Sequence, residues 1–220
     1  MNIFFLNRRP YEAANMLHKN HVNKMLVEAA QMLCTAHRML DGEEGTVDFG
    51  NRKAIKYIIP DRGEYSGMLA AEKCELYWDT HHNHPCSIWV RESSANYKWL
   101  YRHMMALGSR YWESHGFYKE HKTIKDLRKI IQNPPAKIKH ESKFRYLEIP
   151  QCMPDSFKRQ DPYEAYKVYY NYKLKYFALM DMDHEMFMEH KGLSDPAWIQ
   201  ARDMRYRKEQ RRASRKANKK

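Results

Sequence analysis

The segment from His21 to Leu40 constrains the fold of this 220-residue chain more than any other. Val22, Met25, Leu26, Ala29, Leu33, Ala36 and Leu40 recur at the i, i+3/i+4, i+7 spacing that places them on one face of an α-helix. His21, Lys24, Glu28, Gln31, Thr35 and Arg38 form the opposite stripe, and Asp41-Gly42 supplies a stop. Such a helix needs partners for its apolar face. The run from Cys86 towards His115-Gly116 offers one, with Ile88, Trp89, Trp99, Leu100, Met104, Leu107 and Tyr111 as its apolar positions. It reads as a single long helix behind His84-Pro85, capped by Asn83 or Ser87. Shorter helices are expected from Pro10, from Lys122 to Gln132 before Asn133-Pro134-Pro135, and from Asp161 to about Leu179.

The expected fold is therefore mainly α. It is a compact helical domain over residues 1–200, with a short extended segment at its amino end, an irregular insertion at about 41–82 and a basic tail at 201–220. Ile3-Phe4-Phe5-Leu6 reads as a short strand or extended segment tucked into the core. The insertion gathers Gly42, Gly45, Gly50, Gly63 and Gly67 around short strands near Ala54–Pro60, with too few apolar residues for a core of its own. Trp198 is expected to pin the start of the tail.

Composition excludes several classes. No stretch approaches the ~20 apolar residues that span a bilayer, and Arg8-Arg9-Pro10 interrupts the opening apolar run, so neither membrane nor secretion is expected. Cys34, Cys74, Cys86 and Cys152 contain no Cys-x-x-Cys pair, which fits a reduced, cytoplasmic protein. There is no phosphate-binding loop, dinucleotide glycine fingerprint, nucleophile elbow or His-Glu-x-x-His, and no cofactor is expected. The formal charge of +12 is concentrated at one end: residues 201–220 hold ten Lys/Arg against two Asp/Glu. A block of this kind is expected to be a solvated arm with salt-sensitive attraction for phosphates, which points to nucleic acid.

Three constellations could carry chemistry. His21 and Glu28 stand nearly two helical turns apart on one face, with Lys24 between them at an i, i+4 spacing from the glutamate. His81, His82, His84 and Cys86 lie within six residues and could hold zinc if His37 or Cys74 joined them. No recognised ligand spacing is present, so no metal is expected. The aromatic and basic run containing Tyr166, Lys167 and Tyr170 could stack bases and meet phosphates, or pack a core.

The stretch His18-Lys-Asn-His-Val-Asn-Lys-Met-Leu-Val-Glu-Ala-Ala-Gln-Met-Leu33, followed by Asn83-His-Pro-Cys-Ser-Ile-Trp89, resembles the pyrimidine-dimer DNA glycosylase superfamily of the phage endonuclease V type. The resemblance covers residues 2–40 and 83–118, with a weaker echo at Tyr166–Tyr170. It implies a DNA-repair enzyme acting on double-stranded DNA, in the host cytoplasm if phage-encoded. It also implies attack of an amino-terminal amine on the sugar C1′, with a helix glutamate assisting. Glu28 matches that glutamate and His21 a histidine before it. The amine would be that of Met1, or of Asn2 if Met1 is removed, with Lys24 in reserve. As a class, α-amines titrate near neutrality, at about 7.7–8.0, so a useful fraction is nucleophilic. His21, Gln31, Arg38, His84, Arg91, Tyr166, Lys167 and Tyr170 are the expected substrate contacts. The alternatives are a non-catalytic nucleic-acid-binding protein on the same scaffold and an enzyme of modified-nucleotide metabolism in a phage.

Overall fold

Burial of Ile3, Phe4, Phe5 and Leu6, each no more than 6% exposed, draws the amino terminus into the protein as an extended segment. We describe residues 1–59, 76–182 and 196–217 of a computed structural model. The described residues are mainly helical, with one two-stranded hairpin, the mainly α architecture expected. Helix α1 (Pro10–Asn15) opens on proline, whose missing N–H costs nothing at a first turn. Helix α2 (Lys19–Asp41) buries the anticipated apolar stripe and ends at Gly42, whose N–H donates to the Arg38 carbonyl at 2.8 Å. A Cβ at Gly42 would fall 2.3 Å from that same oxygen, so only glycine lets the chain turn away there.

The first part of the insertion, residues 43–58, is a hairpin. Strands β1 (Glu43–Asp48) and β2 (Lys53–Ile58) pair antiparallel, Glu43 opposite Ile58 and Asp48 opposite Lys53, around a turn in which Gly50 has φ +81°. Residues 60–75, with Gly63, Gly67 and Cys74, lie outside the described residues. Arg38 holds the hairpin to α2. Its Nε donates to the Tyr77 carbonyl at 2.7 Å, Nη1 to Tyr57 and Nη2 to Leu76 at 2.9 Å each, and its guanidinium lies 4.2 Å from the Trp78 ring centroid. The sequence stripe suggested a substrate contact. The structure corrects this: Arg38 is 1% exposed and its donors serve backbone carbonyls.

The second long helix is two helices. Helix α3 (Pro85–Glu92) and helix α4 (Ser94–Ser114) meet at Ser93, which is fully extended (φ −153°, ψ 153°) and accepts the Asn96 N–H on its Oγ. The expected caps Asn83 and Ser87 are replaced by His84, whose Nδ1 accepts the Cys86 N–H at 3.2 Å. Helix α5 (Lys122–Leu127) is shorter than its pattern suggested and is capped the same way by His121. Helices α3, α4 and α5 pack against α2, and α1 packs against α4. Trp99 of α4 is the junction. Its ring meets Phe5 and stacks on Phe144, and its Nε1 donates to the Arg8 carbonyl at 2.8 Å.

The chain divides into two compact units, Met1–Tyr166 and Lys167–Lys220. The division falls within helix α6 (Pro162–Asp181). In the second unit Leu179, Ala197, Trp198 and Ala201 form a small core with Tyr172, Tyr176, Met180 and Met182 against it, so Trp198 does anchor this region. The basic stretch from 201 does not begin an element of its own. It continues helix α7 (Pro196–Ala217). Arg205 donates from Nη2 to the Leu179 carbonyl at 2.6 Å, and also to Met180 and Met182. A cation is thus set on the carbonyls that end α6, where the helix dipole favours it. Among the described residues no helix is long and apolar enough to cross a membrane.

Two consequences follow for stability. Arg38→Gln strips donors from three inward-facing carbonyls and should lower the unfolding free energy by roughly 3 kcal/mol or more; urea titration measures it, and a change below 1 kcal/mol would contradict the anchoring role. His37, hydrogen-bonded to the Tyr97 hydroxyl, and His103, donating Nδ1 to the Pro10 carbonyl, are both buried, and burial lowers each to about 4. The folded chain holds them neutral, whereas the unfolded chain protonates them below 6.5. Their contribution, on the order of 3 kcal/mol each, is complete above pH 6.5 and is lost as the pH falls towards 4. Urea midpoints should begin to fall near pH 6.5, above the carboxylate range, and His103→Gln should remove part of that fall.

Candidate functional site

The buried segment 3–6 delivers the first two residues to the polar stripe of α2. Asn2 makes the turn. Its Oδ1 accepts the N–H groups of Ile3 at 2.7 Å and Phe4 at 3.0 Å, and its Nδ2 donates to the Cys152 carbonyl at 2.7 Å. Phe4 sits at φ +47°, a left-handed conformation unusual for a bulky residue. The result sets two nitrogens against one carboxylate. The Asn2 N–H donates to Glu28 Oε2 at 3.1 Å, and the α-amine of Met1 lies 3.9 Å from the same oxygen.

Glu28 is 15% exposed, so its carboxylate lies in a recess that still meets solvent. Its other oxygen faces Lys24 Nζ at 3.6 Å, the i, i+4 pair anticipated from the sequence, although Lys24 itself is 66% exposed. Gln31 follows on the same stripe, half-buried. The Met1 side chain is only 2% exposed, and its sulfur accepts the Ser87 hydroxyl at 3.6 Å. His84, at the start of α3, is held below its usual pKa first by burial, then by the charges of the amino terminus and His81, with Glu28 opposing them. It is a neutral imidazole beside the amine at neutral pH.

Several expected substrate contacts are engaged otherwise. His21 is 7% exposed, with its ring 4.9 Å from that of Phe4, and it packs the amino-terminal segment onto α2. Tyr166 is fully buried; its hydroxyl donates to the Pro150 carbonyl at 2.8 Å and accepts the Cys152 N–H, which shapes the loop that holds Asn2. Tyr170 is 3% exposed and offers no face for base stacking. Lys167, part-exposed, belongs with Tyr170 to the second unit. Arg91 remains part-exposed while its Nη1 donates to the His82 carbonyl at 2.8 Å.

The histidines at 81 and 82 and His37 each have other partners, and Cys74 lies outside the described residues. His82 pairs with the buried Asp79, His81 with the Thr80 hydroxyl, and His37 with Tyr97. His84 and Cys86 instead meet Cys152, which arrives from the loop before α6 with its sulfur 3.4 Å from that of Cys86. These three residues present metal-ligating atoms all within 4.8 Å of one another. Cys152 was not singled out from the sequence. Only its lying 66 positions from Cys86, in a proline-punctuated loop, preceded the fold, and that is no signal.

A separate surface pocket of about 430 Å³, lined by Met105, Gly108, Ser109, Trp112, Ile124 and Arg128 among others, contains none of these residues. Glu28, Lys24 and His84 gather instead around the amino terminus. Compared with models of protein families, with curated proteins and with solved structures, the chain matches none.

Proposed function

We propose that this chain is a DNA glycosylase with abasic-site lyase activity, acting on damaged or modified pyrimidines in double-stranded DNA through its amino-terminal amine. The observation that carries this reading is the pairing of the terminal nitrogens with the Glu28 carboxylate. An enzyme of this kind needs an amine with a free lone pair and a carboxylate within proton-transfer distance of the same sugar. The amine nitrogen bonds to C1′ as the glycosidic C1′–N bond breaks, and the base leaves with a proton. The sugar ring then opens to an imine. Glu28 takes a proton from C2′, the C3′–O bond breaks with loss of the 3′ phosphate, and water hydrolyses the imine to free the amine. The nucleotide has to leave the stack for its C1′ to reach the recess.

Both candidate nitrogens suit the chemistry. With Met1 retained, its α-amine is the nucleophile at 3.9 Å from the carboxylate. With Met1 excised, the Asn2 nitrogen becomes the amine, already 3.1 Å from Glu28, and the space of the Met1 side chain opens to the sugar.

Borohydride trapping on DNA carrying an abasic site or an ultraviolet photoproduct, with mass mapping of the adduct, tests the proposal. An adduct on the first residue is the expected result, and an adduct on Lys24 would move the nucleophile one helical turn along the same site. Glu28→Gln should lower strand cleavage by about 10²-fold or more with little change in DNA affinity. Equal cleavage by the variant, or DNA binding with no adduct on either substrate, would overturn the assignment.

One observation favours a second reading, a nucleic-acid-binding protein without catalysis. Arg202, Arg207, Lys208, Arg211, Arg212 and Arg215 are all exposed along α7. Replacing Arg207, Lys208, Arg211 and Arg212 with glutamine should reduce the slope of log affinity against log salt by about 3 to 4 if each meets a phosphate. An unchanged slope would remove α7 from the DNA interface in either reading.

A further inference from the structure

The three side chains that meet beside the amino terminus have a chemistry the proposed reaction does not use. We infer that His84, Cys86 and Cys152 form a zinc site that clips the loop at Cys152 to the start of α3. Two sulfurs and one imidazole nitrogen are the donor set that borderline-soft zinc prefers. In a tetrahedral site, sulfurs on one zinc stand about 3.8 Å apart and a sulfur and a nitrogen about 3.5 Å apart. The sulfurs here are 3.4 Å apart and all three ligand atoms lie within 4.8 Å of one another, so movements of about 1 Å close the site. Cys86 is buried while His84 and Cys152 are partly exposed, which gives an ion a route in and leaves the fourth position to water.

Cys86 is the second residue of α3, where backbone N–H groups and the helix dipole favour an anion. The two sulfurs stand 3.4 Å apart, so a doubly charged cation between them would displace the thiol protons.

The site also has a structural purpose. The Cys152 carbonyl accepts from Asn2 Nδ2, so the loop that would hold zinc also holds the residue carrying the terminal nitrogens. A metal bridging Cys152 to α3 would fix the amino terminus against Glu28 from the outside, as the apolar residues 3–6 do from within.

The full chain, prepared metal-free with a phosphine reductant, is dialysed against zinc sulfate and assayed for bound zinc, and titrated separately with cobalt(II). One zinc per chain, a thiolate-to-cobalt charge-transfer band and a zinc-dependent rise in Tm are expected. Cys152→Ser and His84→Gln, both at part-exposed positions, should each weaken zinc at least 100-fold and abolish the rise in Tm while the far-ultraviolet circular dichroism stays that of the parent. No zinc retained by the reduced parent would overturn the site, as would equal retention by both variants. A Cys86–Cys152 disulfide that reforms after reduction in preference to zinc would overturn it also. Because zinc is read without DNA, this outcome is independent of whether cleavage is found.

Discussion

The structure depends on the burial of Ile3, Phe4, Phe5 and Leu6. A chain terminus ordinarily frays, because ordering each residue costs about 1–2 kcal/mol of backbone entropy and little is gained in return. Four consecutive large apolar side chains change that balance, since burying each is worth roughly 1.5–3 kcal/mol. The segment is extended and its neighbours are aromatic: Phe5 against Trp99 and Phe144, Phe4 against His21 and Tyr166. With residues 3–6 fixed, Met1 and Asn2 are the two residues next to the packed segment, and their nitrogens lie 3.9 Å and 3.1 Å from Glu28. Their reach is short enough that the terminus has to lie close to where Phe4 enters the core, beside the polar stripe of α2.

Asn2 and Phe4 complete that constraint. A phenylalanine at φ +47° is strained, by an amount on the order of 1–3 kcal/mol. The turn is held because the Asn2 side chain accepts the N–H groups of residues 3 and 4 and donates to the Cys152 carbonyl. The strain is located where the main chain has to double back to bring its first nitrogens to Glu28. Lys24 offers the same carboxylate a second amine, but on a long side chain that is two-thirds exposed and not fixed by packing. The amino terminus is the better positioned of the two, since its orientation is set by backbone rather than by rotamers.

What could be read in the sequence follows from how local each signal is. Helix α2, with Lys24, Glu28 and Gln31 on one stripe, was legible because its 3.6-residue periodicity runs for five turns. The burial of residues 3–6 was legible because four large apolar residues in a row have few alternatives. The break at Ser93 was not, because an apolar pattern continues across it and the interruption is a change at one residue. His18, His84 and His121 each cap a helix through Nδ1, a role composition assigns to serine, threonine, asparagine or aspartate. Arg38 misled for a different reason. A cation opposite an apolar stripe normally faces water, but here the hairpin and residues 76–78 fold over that part of α2 and offer three carbonyls. Cys152 and Tyr166 acquire their meaning only from contacts made across long stretches of chain.

Those long-range contacts join what the sequence kept apart. Cys152 receives Asn2 on its carbonyl and Tyr166 on its N–H, and brings its sulfur to Cys86. Tyr166 in turn fixes the Pro150 carbonyl, so the loop is held at two backbone positions two residues apart. The position of the terminal nitrogens is therefore a property of three segments together: the apolar run that buries the start of the chain, the helix that presents Glu28, and the loop at Cys152. A disturbance at the sulfur pair is one hydrogen bond from Asn2, and a disturbance at Asn2 is one hydrogen bond from Glu28. The amino terminus and the thiols are in this way mechanically coupled, and His84 stands beside both.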